Sequence, residues 1–329
     1  MKKLLLSVVA MMVATISYAQ DGLVATLSHG SDITMYYGVT ALQQAEAAAT
    51  SGDVINLSGG SFNVDKFTIT KAITLRGAGI DSETPTYIIG NFTIEIPTDD
   101  ANQFIMEGIR CQSTMATKGT FANPYFVKCQ FNSVSNAKDN DNVKNIMFVN
   151  CKITGNINVG ANDTYSFVNC FVNNMTQYEA ATATFSNCVI EKAEVAYMRQ
   201  SQFFNCIFVA PNGNNWVLPN TSQATNCICI NYYNNIDIFR DLSVRHNCSV
   251  ATFQDVFKTF TGSYSDEETF ELTETAKTTY LGTDGLEIGL YGGLQPYNST
   301  PSYPLITTMN VDKETTPEGK LGVTIEVSK

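Results

Sequence analysis

FVNCKI (Phe148–Ile153), FVNCFV (Phe167–Val172) and FSNCVI (Phe185–Ile190) are versions of one step, and they decide the fold. FVKCQF (Phe126–Phe131) precedes them; FNCIF (Phe204–Phe208), ATNCIC (Ala224–Cys229) and RHNCSV (Arg245–Val250) follow. The cysteines of the series fall at 111, 129, 151, 170, 188, 206, 227 and 248, with spacings of 18, 22, 19, 18, 18, 21 and 21 residues. A fixed period with some slack marks a solenoid whose coils stack on one another. Leucine-rich repeats share this period, but Leu is absent between Gly108 and Val217. Helical repeats need longer units. Phe, Val, Ile and Thr around each Cys favour strands, and the intervening Asn and Gly favour turns. The pattern predicts an all-β chain: a single-stranded right-handed parallel β-helix with coils of about 20 residues.

The step itself carries geometry. Faces alternate along a flat strand, so Phe148, Cys151 and Ile153 cannot share one face. All three point inward if the chain bends at Asn150, and Asn tolerates left-handed backbone angles. Asn150, Asn169, Asn187, Asn205, Asn226 and Asn247 are therefore expected to form a column at a bend, with amides bonded along the axis as in Asn ladders. Lys128 stands where this column expects Asn. Cys129, Cys151, Cys170, Cys188, Cys206, Cys227 and Cys248 become an interior column of small apolar residues. Coils about 4.8 Å apart would permit disulfides between neighbours. The odd total of nine cysteines and the continuity of the column favour free thiols. Cys227 and Cys229 read as two inward residues of one strand rather than as metal ligands.

The ends differ from the middle. Lys2 and Lys3, the apolar run Leu4–Ile16 and Ser17-Tyr18-Ala19 read as a signal peptide over residues 1–19, cleaved after Ala19. This predicts export to the periplasm, the cell surface or the medium. The apolar run is short for a membrane span and no later run is longer, so no transmembrane segment is expected. The formal charge of −11 becomes −13 once Lys2 and Lys3 are removed, which argues against a nucleic-acid partner. It also weakens, without excluding, a polyuronate substrate. The β-helix is expected over 20–295. Within it, residues 39–50 (VTALQQAEAAAT) form a capping helix with Leu42, Ala45 and Ala49 on one face. An acidic excursion over 251–280 crosses the C-terminal end, and 296–329 supply two terminal strands around the turn DKETTPEGK.

GDVINL (Gly52–Leu57) and KAITLRGAG (Lys71–Gly79) after an alanine-rich helix, with GLEIGLYGG (Gly285–Gly293) before Pro296, resemble the pectate-lyase-like right-handed β-helix proteins exported by Bacteroidetes-type bacteria. The resemblance implies the fold. It leaves activity open, because this superfold carries lyases, hydrolases, esterases, adhesins and inert scaffolds.

It also implies where chemistry would lie: a groove across several coils, on the outer face of one sheet. Lyases of this group use an Arg or Lys base, often beside an acidic calcium site, and hydrolases use carboxylates placed across the sugar bond. An Asp-His pair, Arg-x-Pro-x-x-Arg, Asn-Thr-Asp and Gly-His-Gly are absent, and Thr283-Asp284-Gly285 reads as a turn. Asp237, Arg240, Asp241, Arg245 and His246 are the one gathering of acid, base and His; surface ion pairs are the ordinary reading. Trp216, the single Trp, can stack on a sugar or pack over a coil edge. Asp139 and Asp141, with Asn140 and Asn142, offer oxygens to calcium, the one cofactor the sequence suggests, or form a simple turn. Glu191, Glu194 and Arg199 read as a charged loop. Two functions stand: a non-catalytic glycan-binding or surface scaffold protein with a polysaccharide partner, or a divergent polysaccharide lyase or glycoside hydrolase. An adhesin-like protein with a protein partner fits the acidic solenoid equally. Nothing in the sequence indicates oligomeric state.

Overall fold

The computed structural model describes residues 22–136, 143–160, 162–177, 181–191, 200–210, 218–231, 238–239, 241, 245–259, 265–311 and 323–328. Successive coils supply strands to two long sheets. The first sheet runs from an N-terminal hairpin through Val54–Leu57, Thr74–Arg76, Ile105–Glu107, Tyr125–Val127, Ile146–Val149, Thr164–Val168, Thr182–Ser186, Ser201–Phe204 and Gln223–Thr225 to Arg245–His246. The second runs from Gly60–Asn63 to Ser249–Thr252. Coil-to-coil pairing is parallel in both, so the chain is a parallel β-solenoid. In Ile109–Thr117, Gln130–Asn136 and Lys152–Val159 a register shift interrupts the strand. There the chain turns again and adds a third short face, continuous with Phe67–Ile69 and Phe92–Ile94.

The bend between the two sheets is a column of left-handed residues. Gly108, Lys128, Asn150, Asn169, Asn187, Asn205, Asn226 and Asn247 have φ between 49° and 71°. Each bend brings the residues on both sides of it into the interior. Phe126, Phe148, Phe167, Phe185 and Phe203 stack there, with successive ring centroids 4.9, 5.1, 4.7 and 4.8 Å apart. These distances equal the inter-strand spacing, so each coil lays one ring flat on the last. Beside them, Cys129 through Cys227 of the column are fully buried, and Cys248 is half-buried on the last coil. Each thiol points at carbonyls, as Cys151 Sγ does at Val149 O and Phe126 O, both at 3.4 Å.

Cys111 departs from the expected column. Its register partner is Phe131, and Arg110 pairs with Gln130, so Ile109 holds the place below Cys129. Cys111 instead shares an inward column with Phe131 and Ile153, which continues to Cys229. The register after the bend, rather than the spacing of Cys residues, sets which column a residue joins.

The capping helix spans Ala41–Ala48 and buries Ala41, Leu42, Ala45 and Glu46 against the open first coil. Ahead of it lies a hairpin that the sequence reading missed. Val24–His29 pairs antiparallel with Val54–Leu57 and with Asp32–Tyr37, which becomes the edge of the first sheet. The terminal strands are Leu305–Val311 and Val323–Ser328, paired antiparallel.

Residues 253–259 and 265–304 return along the solenoid instead of only crossing its end. Short helices Phe253–Val256 and Glu274–Thr279, with Phe257, Phe270 and Leu272, lie on the outer face of the second sheet. The chain then follows the Asn bend backwards. Thr283 N donates to Asn205 Oδ1 at 2.9 Å, and Asn169 Nδ2 donates to Leu290 O and Gly292 O at 2.7 and 2.8 Å. Further back, Lys128 Nζ donates to Ser302 Oγ at 3.1 Å and Glu107 accepts from Ser302 N at 2.6 Å. Tyr303 Oη reaches Gly77 O. The expected ladder of Asn amides holds outside this strap, where Asn247 Nδ2 donates to Asn226 Oδ1 at 2.8 Å. Under the strap, Asn169 and Asn205 spend their amides on it.

Candidate functional site

The second sheet has an outward column one residue beyond the cysteines. In register order it reads Ser61, Tyr87, Arg110, Gln130, Lys152, Phe171, Val189, Ile207, Ile228 and Ser249. It changes from polar to apolar between Lys152 and Phe171. The apolar half is covered: Phe171, Val189, Ile207 and Ile228 form a second hydrophobic cluster with Phe257, Phe270, Leu272 and Leu290 of the return segment. The polar half is left open beside the rim of that segment.

Two adjoining hollows of about 400 and 330 Å³ share Asp266 and form a groove along this polar half. Arg110 is its centre. Its guanidinium pairs with Asp81 at 3.2 Å and Asp266 at 3.4 Å and sits 5.8 Å from the Tyr87 ring centroid. Gln130 Nε2 donates to Asp266 Oδ1 at 3.1 Å. Asp266 thus ties the return segment to two neighbouring coils of the sheet. One coil further, Lys152 is 8% exposed, and its ammonium lies 5.8 Å from the Tyr297 ring centroid. Among the described residues, no carboxylate lies within ion-pair reach of that ammonium. Tyr291 packs edge-on against Tyr297 at 6.1 Å. Burial, then the nearby Glu271, Asp81 and Glu268 carboxylates, push the Tyr291 phenol up, so it stays a neutral hydrogen-bonding group.

The groove therefore presents tyrosine rings and a row of donors spaced one coil apart, with carboxylate acceptors on the opposite rim. Glu268 does not face a ligand as a proton donor would, because its Oε1 accepts from Phe270 N at 3.0 Å and Thr259 Oγ1 at 3.3 Å. Asp81 and Asp266 brace Arg110. Such an arrangement can bind a hydroxyl-rich chain; the carboxylates in it are used to hold the walls.

The sequence-derived candidates lie elsewhere. Of the acid–base gathering, Asp237 and Arg240 fall outside the described residues, as do Trp216, the calcium candidates Asp139 and Asp141, and Glu194 and Arg199. Arg245 pairs with Ala224 and His246 with Thr225 on the last strand of the first sheet. Adjacent residues of a strand face opposite ways, so Arg245 ends the inward aromatic column while His246 is exposed outside. Asp241 is half-buried. Glu191 is buried on the second sheet, so it shares no groove with Arg245 and His246 of the first. An Asp-Asp pair occurs at Asp99-Asp100, but Asp100 accepts from Ser51 Oγ at 2.6 Å and Asn102 N at 3.0 Å and organises a loop. Among the described residues, no three His, Cys, Asp or Glu side chains are grouped to hold a metal ion, and no helix is long and apolar enough to cross a membrane.

Tyr87, Arg110, Gln130 and Lys152 were missed in the sequence, although a signal exists. The residue after each bend Cys reads Gln130, Lys152, Phe171, Val189, Ile207, Ile228 and Ser249. Outward apolar residues on consecutive coils announce a covered face, and the polar ones beside them mark where the cover stops.

Compared with known proteins, the chain matches no family, no curated protein and no solved structure.

Proposed function

We propose that this is an exported, non-catalytic glycan-binding protein of pectate-lyase-like type, which takes a polysaccharide into the groove beside the return segment. The observation that carries the reading is the outward run Tyr87–Arg110–Gln130–Lys152, with Tyr297 over Lys152. Tyrosine rings present apolar faces to sugar rings and keep a polar tip for hydroxyls. Coil spacing repeats the donors at about 4.8 Å, which suits a linear polymer better than a single small molecule. The rim carboxylates Asp81 and Asp266 are engaged by Arg110 and Gln130, which leaves the tyrosine rings and Lys152 to meet the polymer.

The test is affinity electrophoresis of the exported chain through gels containing soluble neutral or acidic polysaccharides. Retardation by at least one polymer, reduced at least tenfold in Tyr297→Ala and Lys152→Met, is the expected result. Equal migration in every gel would refute binding at this groove. A divergent lyase is the second reading. It is favoured by one observation: a buried lysine with no carboxylate partner among the described residues stands on the groove wall, and Lys is a residue type such an enzyme uses as base. Release of unsaturated sugars by the wild-type chain, abolished in Lys152→Met, would replace the binding reading with that one.

A further inference from the structure

The solenoid treats its two ends differently. At the C-terminal end the first sheet stops in a two-residue strand, Arg245–His246, and a short charged strand blunts an edge. At the N-terminal end it stops in the six-residue strand Asp32–Tyr37, which among the described residues pairs only with Val24–His29. This strand has no Pro, no Lys and no bulge. Its Ile33, Met35 and Tyr37 are 68%, 51% and 53% exposed. Register explains which way they face. Ala25 and Leu27 are buried and pair with Tyr36 and Thr34, so those two point to the core side. Ile33, Met35 and Tyr37 pair with Ser28, Thr26 and Val24 and share the outer face.

We infer that Asp32–Tyr37 is a self-association strand, pairing antiparallel with the same strand of a second copy about a two-fold axis through Met35. The occupant is argued from the residue pairs the strand makes with its own copy. With Met35 opposite Met35 of the second copy, Ile33 meets Tyr37 and Thr34 meets Tyr36, so β-branched and aromatic residues face each other, a favourable cross-strand combination. All six outer-face residues then join in one apolar patch across the seam. The backbone agrees. His29 and Asp32 close a two-residue turn as a hydrogen-bonded pair, so alternation leaves the amides of Ile33, Met35 and Tyr37 pointing outward. Those groups complete about six hydrogen bonds in this register.

Charge points the same way. The chain is strongly acidic, yet Asp32 is the only charged residue in this strand. In this register it lies opposite Gly38, and the two copies of Asp32 are held about 20 Å apart, beyond the screening length of physiological salt. An isologous contact of this kind closes at two copies and does not propagate, because the opposite sheet end is blunt.

Sedimentation of the exported full chain over a range of concentrations reads the mass directly. A monomer–dimer equilibrium is expected, strengthened by salt, and Met35→Lys should return the chain to monomer by placing two charges on the axis. That residue is half-exposed on an edge, and a circular dichroism spectrum unchanged from the wild type verifies the variant's fold. Under mild oxidation Met35→Cys should form a covalent dimer, and Leu294→Cys, at a position 90% exposed, should not. A monomer at every concentration, a dimer indifferent to Met35→Lys, or equal cross-linking at both sites would overturn the inference. Glycan retardation is read separately and is expected to survive Met35→Lys.

Discussion

Phe270 lies flat on Phe171, with ring centroids 4.9 Å apart and an angle of 18° between planes. Phe171 faces out of the solenoid, so this contact places the return segment against the second sheet at the point where the outward column turns apolar. It also fixes the groove, because Asp266 stands four residues earlier and reaches Arg110 and Gln130.

Phe270→Ala should therefore act on both stability and binding. Truncating a buried Phe costs about 3–5 kcal/mol. Denaturant unfolding should show that loss, and limited proteolysis should cut within 265–300 of the variant but not within that stretch of the wild type. Unchanged protection would mean the segment is held by the Asn bend alone.

Replacement of Asn169 and Asn247 should separate backbone from clamp. Both occupy left-handed positions, where Ala costs about 1–2 kcal/mol. Asn169→Ala also leaves Leu290 O and Gly292 O without their buried donor, adding roughly 1–3 kcal/mol. Asn169→Gly restores the angle but not the clamp and should recover only the backbone part. Thermal unfolding of the three variants ranks them, with Asn247→Ala the mildest.

Burial pushes the Cys129 thiol up to about 12 from an ordinary value of 9.0, with the Glu107 carboxylate adding to it. The folded chain thus holds a proton that the unfolded chain releases above pH 9. Stability from this site is complete below pH 9 and falls between pH 9 and about 12, at roughly 1.4 kcal/mol per pH unit. Denaturation at pH 7, 9 and 11 should show the decline, smaller in Cys129→Ala once its packing loss is subtracted. At pH 8, DTNB should label few of the nine thiols before denaturation and all of them after.

Acid should loosen the N-terminal end first. Burial alone would raise the Asp53 carboxyl, but hydrogen bonds from the Thr50 amide, His29 and the Thr50 hydroxyl outweigh it and hold the group below 3.8. A lowered carboxyl contributes stability above 3.8 that is lost as pH falls below it. Wild type should exceed Asp53→Asn in denaturation midpoint at pH 6, and the two should converge near pH 2.5. A constant gap would show that the carboxylate charge is not what matters.

The periodic interior was legible because it is local. Phe, Asn and Cys of one step lie within a few residues, and each coil repeats the same steric problem, so the solenoid, its Asn bend and its buried thiols follow from seven short segments. Even there the Cys111 spacing misled, since the register of Arg110 against Gln130 depends on the neighbouring coil. The N-terminal hairpin escaped because Val24–His29 and Asp32–Tyr37 carry a common alternation that becomes an edge only when the first sheet exists to receive it.

The outer surface needed the assembled chain. Gln130, Lys152, Phe171 and Val189 occupy equivalent places in the repeat, and nothing within one repeat tells an open groove from a covered face. That distinction is made by Phe270, Asp266 and Leu290, which arrive from far along the chain and settle where apolar area can be buried and Asn169 can donate to them. Short-range sterics and side-chain periodicity determine the coil. Long-range burial, which has no signature in any one segment, decides which of its faces meets solvent and so where a ligand can sit.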